Sequence, residues 1–187
     1  MRSVTKSIVG LLYGIALEEG RVPALEEPIV AQFPEYPDLA SDPQRKRLTI
    51  RHTLSMTLAM EWKENAPYTD AANSEIAMEQ AQDRYRFILD RPILAEPGRG
   101  WIYSGGAVAL LGEIIERGTG QSLPAFASEK LFSPLRDRHH RVDPGPRRQS
   151  VSRIGAADDT PLACSNWADD IGRWQIGRSL CRSQILA

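Results

Sequence analysis

Four residues near the start of the chain, Ser3-Val4-Thr5-Lys6, place a hydroxyl and an amine three positions apart. Residues i and i+3 share one face of a helix, so the Lys6 amine can reach the Ser3 hydroxyl. A serine hydroxyl is a weak nucleophile at neutral pH and needs a base beside it. A lysine becomes that base when burial or neighbouring positive charge lowers its pKa. A helix N-terminus adds free N–H groups and a positive end, which favour an oxyanion at the serine. The same spacing also arises on any solvated helix face, so alone it does not separate a nucleophile from an ordinary surface pair.

Other residues with chemical potential are few. Tyr103 lies in the Gly/Pro-rich turn AEPGRGWIYSGG (95–106), beside Trp101, at the mouth of a helix. By type it is either a proton-transfer group or a packing aromatic. His52 sits in the first turn of an expected helix with no carboxylate or cysteine partner in sight, which makes it a surface or packing residue. Glu18, Glu19, Glu26 and Glu27 read as solvated charge. No metal site, Gly-rich phosphate loop or cofactor motif is expected. Cys164 and Cys181, with sixteen residues between them, match no metal or redox spacing.

The elements that must position these residues are mostly helical. Ile8, Leu11, Leu12, Ile15 and Ala16 recur at helical spacing over 3–19, with Gly20 as C-cap. A short helix interrupted by Pro28 is expected within 24–33, then a loop through FPEYPDLASDPQ (33–44). Thr49 caps a further helix, and 73–89 forms one helix ended by Asp90-Arg91-Pro92. AVALLGEIIERGTG carries a buried stripe of Leu110, Leu111, Ile114 and Ile115, and Ser122 caps a last helix containing Leu123, Phe126, Ala127 and Leu131. No run alternates as a convincing strand would.

Composition narrows the function classes. The 187 residues are 42% hydrophobic and 25% charged with a formal charge of −1, which fits a soluble globular chain and argues against nucleic acid as a partner. Arg2 and Lys6 before IVGLLYGIAL imitate the opening of a signal peptide, but Glu18 and Glu19 follow and no cleavage site appears. No other stretch approaches the about 18 apolar residues of a membrane span. After Leu135 the composition changes. Residues 136–187 contain no Glu, Lys, Phe, Tyr or Met, although 1–135 hold thirteen Glu and all four Lys. Within 136–155 six Arg against two Asp give +4. Three readings stand for this tail: an Arg-rich flexible segment, a basic arm for an acidic partner, or a slipped reading frame.

Taken with their surroundings, three blocks resemble the penicillin-recognising serine hydrolases, the family of class C β-lactamases, DD-peptidases, related esterases and 6-aminohexanoate-oligomer hydrolases. SVTKSIVGLLYGIALEEGRV resembles their nucleophile helix, LTIRHTLSMT a following "T-I-R-x-L-L-x-M-T-S-G" segment, and PGRGWIYSGGAVALLGEIIERGTGQSLPAFASEKLFSPL their tyrosine block. The blocks occur in the family's order over residues 2–135. The resemblance implies that Ser3 is the acylated nucleophile, Lys6 its activating partner and Tyr103 a second proton-transfer group. It also implies that the Ser3 N–H forms part of an oxyanion hole. Lactamases and peptidases usually carry Asn two residues after the tyrosine, where its amide holds the lysine and substrate; here Gly105 stands as a weakened substrate-binding position. That departure favours the esterase or amidase branch over an efficient β-lactamase. Thr57-Leu58-Ala59 replaces the usual Thr-Ser-Gly.

The family's third motif, Lys-Thr-Gly or His-x-Gly, has no match, since neither Ile154-Gly155 nor Ile176-Gly177 follows Lys or His. The expected architecture is therefore mostly α: the helical region of a β-lactamase/transpeptidase-like α+β fold with most of its antiparallel sheet missing. Residues 1–135 form a partial hydrolase domain, and 136–187 an atypical tail to which no domain is assigned. The expected substrate is a small ester or amide. The alternatives are an inactive remnant or a helical interaction module, and a late start or a broken frame accounts for the nucleophile's closeness to Met1. On that account the compartment is cytoplasmic if the start is correct, and periplasmic or secreted if an export signal precedes it.

Overall fold

In the computed structural model of the chain, the described residues are 3–70 and 72–135, with the backbone of 142–144 and 174–176. Among them, helices dominate. Helix α1 spans Val4–Glu18, α2 Pro37–Ser41, α3 Ile50–Leu54, α4 Ser74–Gln80, α5 Arg84–Leu89, α6 Gly105–Thr119 and α7 Leu123–Ala127. A π turn over Ser128–Phe132 continues α7, and 3₁₀ turns occupy Ile29–Gln32 and Arg45–Arg47. Strands β1 (Val142–Pro144) and β2 (Trp174–Ile176) pair antiparallel, Val142 opposite Ile176. The rest of the tail, including the Arg-rich stretch and Ile154-Gly155, lies outside the described residues.

Helix α6 is the hub. It is buried on nearly every side from Gly105 to Gly112 and again at Ile114 and Ile115, as a helix apolar all round must be. α1, α3, α4, α5 and α7 all pack on it. Ser104 caps its N-terminus by accepting from the Ala107 N–H at 3.1 Å, and Gly120 closes its other end in the left-handed conformation at φ +66°. The far ends of α1 and α6 are joined where the Arg21 guanidinium donates to the Thr119 carbonyl. Tyr13, fully buried in α1, donates to the Pro23 carbonyl at 2.8 Å.

Several local expectations are corrected. The face of α1 that meets the core runs through Val9, Leu12, Tyr13 and Ala16, while Leu11 is 59% exposed. Both sets have helical spacing, so periodicity did not choose between them; packing on α6 does. The loop expected over 33–44 contains α2, because Pro37 has the backbone angle of a first helical residue. The single helix expected over 73–89 is two. Ala81 is extended (ψ 138°), and Asp83 starts α5 anew by accepting from the Arg86 N–H at 3.0 Å. Tyr36 holds that Asp83 carboxylate from outside, donating at 2.7 Å, a tertiary bond that overrides helix propensity. Strands of three residues are also too short to show alternation.

Asn73 fixes the approach to α4. Wholly buried, its side-chain oxygen accepts from the Glu75 N–H at 3.0 Å, and its amide donates to the Ala66 carbonyl at 2.8 Å. Asn73→Ala leaves the buried Glu75 N–H and the part-buried Ala66 carbonyl without this partner and is expected to cost about 2–3 kcal/mol. Gly14 lies mid-helix in α1 with open space beside it, so Gly14→Ala is expected to gain about 0.5–1 kcal/mol. Urea midpoints of the two variants should move in opposite directions.

Candidate active site

The beginning of α1, the residues leading into α6, and the chain from Trp62 to Glu75 converge on one point. Ser3 occupies the N-cap of α1 but makes no side-chain capping bond. Its hydroxyl is engaged elsewhere: the Tyr103 phenol donates to Ser3 Oγ at 2.6 Å, across a hundred positions of sequence. Lys6, one turn into the helix, lays its ammonium on the Tyr103 ring, 4.4 Å from the centroid. Its side chain is 7% exposed. Among the sequence candidates the structure thus brings together Ser3, Lys6 and Tyr103, with Gly105 following at the start of α6.

The middle sequence block sets where Tyr103 stands. The Ile102 N–H donates to the Met56 carbonyl at 3.0 Å, and the Gly98 N–H to the Thr57 carbonyl at 2.9 Å, so the residues before α6 are tied to the turn after α3. That turn holds Met56 and Ala59 in left-handed conformations, each at φ +57°. Ala59 takes that conformation at a position where the family pattern has glycine. His52 does local work in the same segment. The Thr49 N–H donates to its Nδ1 at 3.2 Å and the His52 N–H to Thr49 Oγ1 at 3.4 Å, a reciprocal cap on α3.

Two residues that sequence reasoning passed over complete the site. Glu64 Oε2 and Glu75 Oε1 each lie 3.9 Å from Lys6 Nζ, with side chains 9% and 3% exposed. Trp62 Nε1 donates to Glu64 Oε1 at 2.7 Å, and the Gly105 N–H donates to the same oxygen. The glycine pair opening α6 makes room for these groups. A Cβ on Gly105 would overlap the Glu75 carboxyl, and one on Gly106 would press into the Trp62 ring at 2.6 Å. The sequence signal for Glu75 was indirect: an amide side chain absent at 105 leaves a volume that another side chain must fill.

Electrostatics follow from this enclosure. Burial pushes the Lys6 ammonium below the ordinary lysine value, and Glu64 and Glu75 pull it part of the way back. Burial raises the Tyr103 phenol; the Ser3 hydrogen bond opposes that, and Glu64, Glu75 and Tyr68 add to it. Tyr103 therefore holds its proton at neutral pH. An open cleft of about 430 Å³ adjoins the phenol, lined by Trp62, Glu64, Asn65, Tyr68, Ile102 and Tyr103. Trp101, 65% exposed, stands 5.8 Å from the Tyr103 ring. Among the described residues no group of His, Cys, Asp and Glu side chains has the arrangement of a metal site, and no helix is long and apolar enough to cross a membrane.

Comparison with known proteins bears on family and fold. Esterase EstB of Burkholderia gladioli is 30% identical over 145 residues, covering 72% of this chain and 36% of the esterase. The structure of EstCE1, a hydrolase with promiscuous acyltransferase activity, superposes with a TM-score of 0.58 at 24% identity, over 74% of this chain and 38% of that one. The D-amino acid amidase of Ochrobactrum anthropi superposes with a TM-score of 0.55 at 23% identity, over 76% of this chain and 36% of the amidase. The chain spans about a third of the length of the curated relatives it matches, whose covered shares are 36% and 29%. Its helices are thus the helical region of the β-lactamase and penicillin-binding-protein fold. The Beta-lactamase family model matches residues 1–175, and the chain belongs to that family of serine hydrolases.

Proposed function

We propose that Ser3, Lys6 and Tyr103 form the acyl-transfer apparatus of an ester or amide hydrolase. The observation that carries this reading is the Tyr103 phenol donating to Ser3 Oγ at 2.6 Å with the Lys6 amine against the same ring. The likeness to an esterase and to an amidase supports the substrate class. Gly105, in place of an amide, supports these branches over β-lactam hydrolysis.

The chemistry divides between two groups of unlike proton affinity. A neutral Lys6 amine takes the Ser3 proton as Oγ bonds to the substrate carbonyl carbon, giving a tetrahedral oxyanion. The Ser3 N–H at the amino end of α1 faces that charge. Tyr103, which keeps its proton, donates it to the leaving alkoxide or amine as the carbon–heteroatom bond breaks. The Lys6 ammonium then reprotonates the phenolate, leaving an acylated Ser3 and the neutral amine. In the second half a water gives its proton to this Lys6–Tyr103 pair and attacks the acyl carbon, and Ser3 Oγ leaves with the returned proton.

Ser3→Ala is expected to abolish fluorophosphonate labelling and to lower p-nitrophenyl ester hydrolysis by roughly a thousandfold or more. Equal labelling of the variant and the parent chain would remove Ser3 and favour a helical interaction module. Tyr103→Phe, which keeps the ring under Lys6, is expected to lower kcat about 10²–10⁴-fold. The acylation rate should rise with pH as Lys6 loses its proton, with a midpoint below the ordinary lysine value of 10.5. Lys6→Arg should lose both the rise and the rate; stopped-flow acylation from pH 6 to 10 checks this.

A further inference from the structure

The two carboxyl groups beside Lys6 have no part in the proton transfers just described, yet they are the most enclosed acids near the site. Their placement is specific. Glu64 has one oxygen anchored by the Trp62 indole and the Gly105 N–H, which turns its other oxygen toward Lys6. Glu75 comes from the first turn of α4, its backbone fixed by buried Asn73 and its carboxyl lying where any side chain at 105 would be. Burying two carboxylates around one ammonium is weak as a stabilising device, because desolvation offsets most of the attraction. Orientation of the amine gives the arrangement a purpose.

We propose that Glu64 and Glu75 are positioning residues for Lys6: in the volume left by Gly105 they hold its amine against Tyr103 and set the pH range over which it accepts the Ser3 proton. This rests on the serine-hydrolase reading above. The groups facing Lys6 come from every neighbouring element. They are Tyr103 from the approach to α6, which also bonds Ser3 on the helix of Lys6 itself, Glu64 from the loop after Trp62, and Glu75 from α4. Tyr68 lies across the cleft, and the exposed Lys63 ammonium is paired with Glu61 at 3.5 Å. The two carboxylates each favour the charged lysine, so neutralising either must make the proton leave more easily.

The test is a titration that does not depend on turnover. The chain has four lysines, Lys6, Lys46, Lys63 and Lys130, so ¹³Cε-lysine labelling gives four NMR signals, with Lys6 assigned by its loss in Lys6→Arg. In Glu75→Gln and in Glu64→Gln the Lys6 midpoint is expected to fall by roughly 1–3 pH units. The rise of Ser3 acylation should shift to lower pH with Lys6. A Lys6 midpoint that moves by less than about 0.5 unit in a folded variant overturns the proposal. If Glu75→Gln does not fold, Glu64→Gln, whose side chain borders the open cleft, decides the question. Fluorophosphonate labelling of the parent chain is read separately. No labelling with a displaced Lys6 overturns the hydrolase reading and sustains the positioning. Labelling with an unmoved Lys6 overturns the positioning alone.

Discussion

An amine taken out of water must be compensated, and the amino end of α1 is built around that demand. Removing a charge from solvent costs several kcal/mol, so a lysine with a 7% exposed side chain needs partners on every side. Tyr103 offers a ring face worth roughly 0.5–2 kcal/mol to the charged form, and the Glu64 and Glu75 carboxyl groups each stand 3.9 Å from its nitrogen. These partners come from three separate stretches of the chain. Whatever holds α1, α4 and α6 together therefore also keeps Lys6 out of water.

Much of the frame was legible in the sequence because it is encoded locally. The Gly/Pro turn over 95–106 announces the mouth of α6, and Leu110, Leu111, Ile114 and Ile115 announce its burial. Ser3, Lys6 and Tyr103 stood out through type, spacing and setting. What stayed hidden is decided by partners distant in sequence. Whether Leu11 or Val9 faces inward depends on where α6 lies, and the division between α4 and α5 depends on Tyr36 reaching Asp83. Glu64 and Glu75 carry no spacing or setting in the sequence that marks them. Their burial follows from two glycines and an indole that no local pattern connects with them.

The turn after α3 shows how little chain is needed to aim the tyrosine. Two backbone bonds, Ile102 to Met56 and Gly98 to Thr57, transmit the strained left-handed residues Met56 and Ala59 to the approach of α6. A non-glycine residue in that conformation carries about 1–2 kcal/mol of steric cost. Packing of the surrounding core, where Ala59 is 2% exposed, holds it there. The segment is a brace, and its chemistry is that of backbone amides.

The space in front of Gly105 is already taken. A Cβ there would meet the Glu75 carboxyl, so a larger residue at 105 and the carboxyl at 75 compete for one volume. Enlarging 105 alone displaces the Glu75 carboxyl from its place beside Lys6; shrinking 75 alone leaves a cavity, which a folded chain tolerates at a cost of a few kcal/mol. The two positions are therefore coupled, and the effects of changing them do not add.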